Sequence, residues 1–502
     1  MRWLLPALLL GISFLVEAIN HNGDYRTLVV LEDDAEKSKY SKFIEDLEGK
    51  IIEELAKVEA FPLNPADFLA IAERGFALTF ESPKNEKLAL FHLGARAYDH
   101  VLILPSKSKG LGPNLTPKLL LDFVNSGGNI LLTLSSSVPT PTSLVSLLLE
   151  LDIHLPTDRN SLVVDHFNYD TITASEQHDV LLVPRPDAVR PDVVNFFKGD
   201  GTGNELIAFP RGVGQTLGNA SPLLTPILRA PRTAYSYNPK EDVEGVEDPF
   251  AVGPQLSLIS TMQARNSARF TVVGSAEMLQ DTWFDAKVKR SVGLGGVGTD
   301  AQKVPTSNRE FAKEVSGWTF GEIGILQVNK VEHFLNEGTA ESNITNPQMY
   351  RVKNEVVSVT YSIVIREYAW DRYKKFVVPE SDSFQLEFSM LSPFHRIHLA
   401  PGNTADGWGR YTASFKLPDQ HGIFNFKVNY KRPFYTNIEE KNTVTVRHFA
   451  HDEWPRSWVI SGAWPWISGI SVTVVGWVAF VALWLWSKPV PLKLATSGKK
   501  LQ

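Results

Sequence analysis

Thr27-Leu28-Val29-Val30-Leu31-Glu32-Asp33-Asp34 decides the architecture: an apolar run too short for a helix ends abruptly on three carboxylates. Three more runs of the same kind follow, at Ala77 to Phe80, His100 to Leu104 and Asn129 to Leu134. Stretches with helical spacing, such as Leu115 to Val124 and Ser143 to Leu149, separate them. Strands alternating with helices predict an α/β fold with a parallel, doubly wound sheet. Ligands of such sheets bind outside the carboxyl ends of the strands. Glu32-Asp33-Asp34, Ser106-Lys107-Ser108 and Ser135-Ser136-Ser137 each follow a strand directly and so converge there. They read either as contacts for a hydroxyl-rich ligand such as a sugar, or as caps of the following helices.

The first α/β domain is expected over 19–165, and a second over 166–320 with strands near Val180 to Val183, Glu205 to Phe209, Leu256 to Ile259 and Arg269 to Val273. Asp165-His166-Phe167-Asn168-Tyr169-Asp170 joins the two; its carboxylates and histidine read as an acid/base pair or as a linker whose Asp and Asn close turns. Gly293 to Gly298 lacks the preceding strand that a phosphate loop needs, and the acids between Glu241 and Asp248 lack calcium-loop spacing. Beyond 320 the period changes to two. Val357, Val359, Tyr361, Ile363 and Ile365, then Phe424, Phe426, Val428 and Tyr430, mark half-buried strands of an antiparallel β-sandwich over 321–450.

The ends carry addresses. Met1-Arg2, the apolar run Trp3 to Val16 and the small residues at Val16 and Ala18 predict a signal peptide over 1–18. Ile467 to Trp486 holds 20 residues without a charge, enough at about 1.5 Å per residue to cross a bilayer core of roughly 30 Å. Trp464, Trp466, Trp484 and Trp486 flank it, and the tail 487–502 has four lysines and no acid, which predicts a single-pass type I membrane protein with a cytosolic tail. Lys499 and Lys500 stand fourth and third from the end and match a dilysine retrieval signal of the endoplasmic reticulum. Within the span, Gly469, Thr473, Gly476 and Ala479 form a small-residue stripe on one helical face, suited to close approach of another helix. Sequons at Asn114 and Asn343 are candidate glycosylation sites; a third, at Asn219, is followed by Pro222 and is a poor acceptor.

Composition bounds the rest. The 502 residues include 50 basic and 56 acidic side chains, a net charge of −6, so no global basic field exists for nucleic acid. Cysteine is absent, which removes disulfides, thiolate nucleophiles and Cys-ligated zinc.

Four segments together resemble one family: Asp165 to Asp170, Arg211-Gly212-Val213-Gly214, Met262 to Arg269, and Phe415 to Asp419 with Gly422 to Val428. From Tyr25 to its C-terminus the chain is similar to the wheat-germ-agglutinin-binding, or 48 kDa, subunit family of the endoplasmic-reticulum oligosaccharyltransferase. The resemblance implies a non-catalytic subunit, without cofactor or metal, of the complex that moves a lipid-linked oligosaccharide onto Asn of Asn-X-Ser/Thr. It implies as partners a multi-span catalytic subunit, a ribophorin II-type subunit and a small membrane DAD-type subunit. Asp33, Asp34, Asp165 and His166 are the candidate donor or partner contacts. The competing readings are a membrane-tethered lumenal glycosidase and a lectin-like cargo receptor. Two departures stand out. Family members usually have two adjacent histidines where this chain has His166-Phe167, and the family gives 49–71 no counterpart. That insertion reads as an intron retained in frame, or as a lineage-specific surface helix.

Overall fold

A computed structural model describes residues 26–48, 74–453 apart from 109, 159, 187–195, 200–204, 220, 240–248, 291–302, 337–343, 353–356, 371, 381 and 403–407, and 462–489. The expected signal peptide, the insertion 49–71, the stretches 241–248 and 293–298, Asn343, Lys499 and Lys500 lie outside the described residues.

The first sheet has seven strands: β1 Arg26–Val30, β2 Ala77–Glu81, β3 His100–Ile103, β4 Asn129–Thr133, β5 Leu224–Arg229, β6 Ser257–Gln263 and β7 Arg269–Val273, in the order β5-β6-β7-β4-β3-β1-β2. β2, β1, β3, β4 and β7 are mutually parallel, and β6 and β5 extend the sheet antiparallel. β1, β3 and β4 are buried on both faces almost throughout, which is why their sequences are unbroken apolar runs without alternation. Helices α1 (Ser41–Glu48), α2 (Pro117–Asn125), α3 (Thr142–Glu150) and α4 (Asn308–Thr319) cover it. Val29, Leu102 and Leu131 pack with Phe43 and Leu47 of α1 and Phe311 and Val315 of α4. Their neighbours Val30, Val101 and Ile130 pack with Leu120 and Phe123 of α2 and Leu144 and Leu148 of α3. Thr116 caps α2 by accepting from the Leu119 amide, with Pro117 opening the first turn.

A second sheet was expected within 166–320, but β5, β6 and β7 join the first one, so strand pairing crosses the expected boundary at 165. Of the expected strands, Val180–Pro184 and Leu206–Pro210 pair apart, as a two-stranded antiparallel ribbon. The apolar runs were legible; their partners were not, because pairing is set by non-local packing.

Ten further strands follow: β8 Ile323–Leu335, β9 Met349–Val352, β10 Ser358–Ala369, β11 Arg372–Lys375, β12 Gln385–Ser389, β13 Pro393–His398, β14 Ala400–Gly402, β15 Gly409–Lys416, β16 Gly422–Tyr430 and β17 Ile438–His448. They form one five-stranded sheet, β8-β10-β15-β14 with β11 on β10, and another, β9-β17-β16-β12-β13, in which only the β9–β17 pair is parallel. Period-two burial holds: Phe424, Phe426, Val428 and Tyr430 are buried while Ile423 and Asn429 face outward. Val359, Tyr361 and Ile363 of one sheet share a core with Leu386, Phe388 and Phe426 of the other.

Polar side chains lock the two parts together. Arg269, at the start of β7 and fully buried, donates to the carbonyls of Trp318, Ile323 (2.8 Å) and Gly324 (3.0 Å) and lies over the Trp318 ring. Burial without a carboxylate pushes its guanidinium down to about 9. Trp318 Nε1 donates to the Phe434 carbonyl at 2.8 Å, and Gln263 Nε2 to that of Tyr435. Arg74 and Glu322 pair at 2.6 Å, both buried, with Ser316 Oγ beside them. The last helix, α5 (Ala463–Trp486), has a mean hydropathy of 2.0 over its apolar window and none of that window is covered by the rest of the chain.

Candidate functional site

Strand order reverses between β1 and β3, where one crossover leads outward to β2 and the next to β4. In open α/β sheets this switch point opens the ligand crevice. Glu32 leaves β1 there and reaches across to β3. Its Oε2 accepts from Ser106 Oγ at 3.0 Å and the Ser108 amide at 3.1 Å, and its Oε1 from Ser108 Oγ at 2.9 Å. Lys84, arriving from the loop after β2, donates to Oε1 at 2.7 Å. The Lys84 ammonium, helped by the two serines, outweighs partial desolvation and pushes the Glu32 carboxyl down to about 2. A carboxylate so held is an acceptor of hydrogen bonds at neutral pH and has no proton to give.

Asp33 does what the capping alternative anticipated: it accepts from the Ala35 amide at 3.0 Å and starts the helical turn Asp34–Lys37. Beside Glu32, a shallow open depression is lined by Leu104, Ser106, Thr133, Ser135, Thr140 and Leu144. Ser135 and Ser137 share a hydrogen bond at 2.7 Å, and Ser136 is spent on the Arg211 carbonyl at 2.7 Å. All three clusters thus contribute side chains near the crevice, through Glu32, Ser106 with Ser108, and Ser135, and Ser136 ties the edge to a distant loop.

The second group of candidates stands apart. Val163 hangs on Gly212, and Val213 on Gly274 just past β7, three strand positions from β1 in the sheet, roughly 14 Å at a strand spacing of about 4.8 Å. Asp165 is wholly buried and accepts from the Phe167 amide (2.8 Å), Asn168 Nδ2 (3.0 Å) and Thr233 Oγ1 (2.8 Å). It closes a turn. The candidacy of Asp165 as a contact is therefore corrected: a carboxylate with no exposed surface and three internal hydrogen-bond donors is out of reach of a donor or partner. His166 is exposed. Its Nε2 meets Tyr235 Oη at 2.9 Å and its Nδ1 meets Nδ1 of His178, whose ring lies 4.0 Å from that of Tyr169. His178, held at a φ of 53°, was not found by sequence reasoning, nor were Lys84 and Tyr235; each arrives from another loop. Among the described residues no group of three His, Cys, Asp or Glu is arranged to hold a metal ion.

Asn114 of the first sequon spends its side-chain amide on the Asn85 (3.3 Å) and Glu86 (2.9 Å) carbonyls. On α5, Thr473 Oγ1 returns to the Gly469 carbonyl at 2.8 Å, and a Cβ added at Gly469 or Gly476 would meet nothing within 4 Å, so the stripe with Ala479 is open.

These parts define a class: an α/β sheet with a buttoned switch point, clamped to a pair of β-sheets that lead into one apolar helix long enough to cross a bilayer. Residues 67–322 match the family model described as OST48, N-terminal domain, and residues 334–488 that of the OST48 middle domain. A Schizosaccharomyces pombe protein named dolichyl-diphosphooligosaccharide–protein glycosyltransferase subunit wbp1 is 33% identical over 84% of this chain and 88% of its own. The 48 kDa subunits of that transferase from Caenorhabditis elegans (30% identical, 84% of this chain and 88% of theirs) and Arabidopsis thaliana (28%, 97% of both) are similar over most of their length. The chain belongs to the OST48 family.

Proposed function

We propose that this chain is a subunit of the dolichyl-diphosphooligosaccharide–protein glycosyltransferase, the complex that transfers a lipid-linked oligosaccharide to Asn of Asn-X-Ser/Thr in nascent proteins. The observation that carries this reading is the similarity to relatives bearing that name over more than four-fifths of the chain. Its role is accessory. In support, the acidic groups at the sheet edge are engaged inside the protein: Glu32 by Lys84, Ser106 and Ser108, Asp165 by Thr233 and Asn168. Glu32, held ionised, has no proton to deliver.

In this reading the α/β part is doubly wound over 19–320, the paired sheets form a sandwich over 321–450, residues 1–18 are a leader, α5 spans the membrane of the endoplasmic reticulum, and 487–502 is a cytosolic tail retrieved through Lys499 and Lys500. The bulk of the chain is lumenal. Its partners are the multi-span catalytic subunit, a ribophorin II-type subunit and a small membrane DAD-type subunit, with the stripe Gly469, Thr473, Gly476 and Ala479 as the surface for small membrane partners. Gly476→Leu should reduce recovery of those partners while leaving the lumenal part folded. Asp33, Asp34 and His166 remain contact candidates for donor or partner, and Asn114 and Asn343 remain candidate glycan sites. Depletion of the chain should lower sequon occupancy on secreted proteins, measured by glycopeptide mass spectrometry; normal occupancy would refute the reading.

A further inference from the structure

The two ends of the β-sheet pair differ in what they present. The Phe434–Tyr435 end holds the α/β part through Trp318 and Gln263. The opposite end is where β17 finishes at His448, beside Gly422, which pairs with Val446. There Glu453 folds back onto Arg447 (2.6 Å) and Arg351 (3.2 Å), and Asp419 approaches His448 at 3.5 Å, so this end has a fixed shape. Between Glu453 and the start of α5 at Ala463 run nine residues, 454–462, a reach of roughly 30 Å at most when fully extended.

The hairpin between β12 and β13 turns at this same end, since Ser389 pairs with Asn425. β12 lies two strand positions from β17, about 10 Å. Its tip is apolar and bare: Leu391 is 99% exposed and Phe394 42%, and Ile423, at the same end of the adjoining β16, 62%. Their setting is firm. Met390 packs so closely on Gly422 that an added Cβ there would lie 2.5 Å from its sulfur, and Phe394 stands edge-on to the buried Phe424 ring. A leucine left wholly in water at a rigid hairpin tip, with two further large apolar side chains around it, is unfavourable for a free surface.

We propose that this tip, Leu391 with Phe394 and Ile423, dips into the interfacial layer of the bilayer that α5 crosses. The occupant is lipid, because the tether places the membrane surface within reach of this end, and because the polar ring of Lys427, His395 and Arg396, the last paired with Glu387 at 3.3 Å, on the neighbouring strand positions suits a headgroup layer around an apolar point. Two anchors, helix and tip, then fix the tilt of the whole lumenal body over the membrane. The proposal rests on α5 being a membrane span.

The chain has no cysteine, so single Cys variants of the full-length protein can carry one fluorophore each. Leu391→Cys, Leu93→Cys on the α/β part (Leu93 is 96% exposed) and Trp477→Cys in α5 would be reconstituted into phosphatidylcholine vesicles doped with nitroxide-bearing lipid. The Leu391 label should be quenched by the lipid nitroxide several-fold more than the Leu93 label, and be several-fold less accessible to aqueous iodide. Equal behaviour of the two labels, with the Trp477 label quenched by lipid, would overturn the tip proposal alone. An unquenched Trp477 label would overturn the span and the tip proposal with it. A Leu391 label shielded from iodide only in the assembled complex, and untouched by lipid nitroxide, would assign the tip to a protein partner and overturn the proposal.

Discussion

Glu32 shows how much of a site one residue can organise. It joins the loops after β1, β2 and β3 through a single carboxylate, and its low proton affinity keeps it charged across the physiological range. Glu32→Ala leaves Ser106 and the Ser108 amide without their acceptor and Lys84 without its counter-ion. A loss of about 1 kcal/mol is expected, from hydrogen bonds to a charged group in a half-buried position whose lysine partner is exposed, measured as a shift of the denaturant midpoint. An unchanged midpoint would show that the button is ornamental to the fold. The carboxylate cluster after the first strand was legible, yet Asp33 and Asp34 drew attention ahead of Glu32. Which of three successive carboxylates turns into the crevice depends on the strand's exit and on Lys84, 52 positions along the chain. Asp165 failed as a contact for the complementary reason: Thr233, the hydroxyl that fills it, is 68 positions away.

At the scale of elements, periodicity carried most of the information. The alternation that marks β16 is the burial pattern observed, that of β10 holds only as far as Tyr361 because Ser362 and Val364 are buried too, and the unbroken runs of β1, β3 and β4 lie between two helical layers. What alternation could not reveal is the polar core at the start of that sheet pair. His333 of β8 is buried, stacked at 4.8 Å on Phe426 and hydrogen-bonded to Tyr350 Oη at 2.6 Å. Burial pushes its imidazole down to about 4, against about 6.5 when unfolded. Between those values the unfolded chain binds the extra proton and the folded chain does not, so stability falls as pH drops from about 6.5 towards 4. His333→Gln should flatten the dependence of the melting temperature on pH within that window; an identical slope would place the titration elsewhere.

At the scale of the molecule, the signature segment Met262 to Arg269 acquires a physical meaning. Gln263 and Arg269 bond to Tyr435, Trp318, Ile323 and Gly324, and Asn437 donates to Arg265 and Ser267, so the motif is the clamp between the two parts. The insertion is placed where it can be spared. Leu47, before it, accepts a hydrogen bond from the Phe76 amide, after it, at 3.1 Å, so the chain on either side already meets. Removal of 49–71 should leave the unfolding midpoint of the protein unchanged, and peptide mass spectrometry of the native protein should find a peptide joining Glu48 to the Ala72 region; a peptide from within Ile51 to Phe68 would establish the segment as protein. The sheet boundary at 165 was misplaced because β5 to β7 return to the first sheet over a long stretch of chain, which local patterns do not record.

The central claim, an accessory subunit working only in assembly, is tested most directly by purifying the tagged full-length chain in a gentle detergent and assaying acceptor-peptide glycosylation before and after stripping it from its partners. The account predicts transfer of oligosaccharide by the assembled material, which contains a many-span membrane protein in stoichiometric amount, and none by the isolated chain. Transfer by the isolated chain, or an intact chain recovered with no such partner, would contradict it.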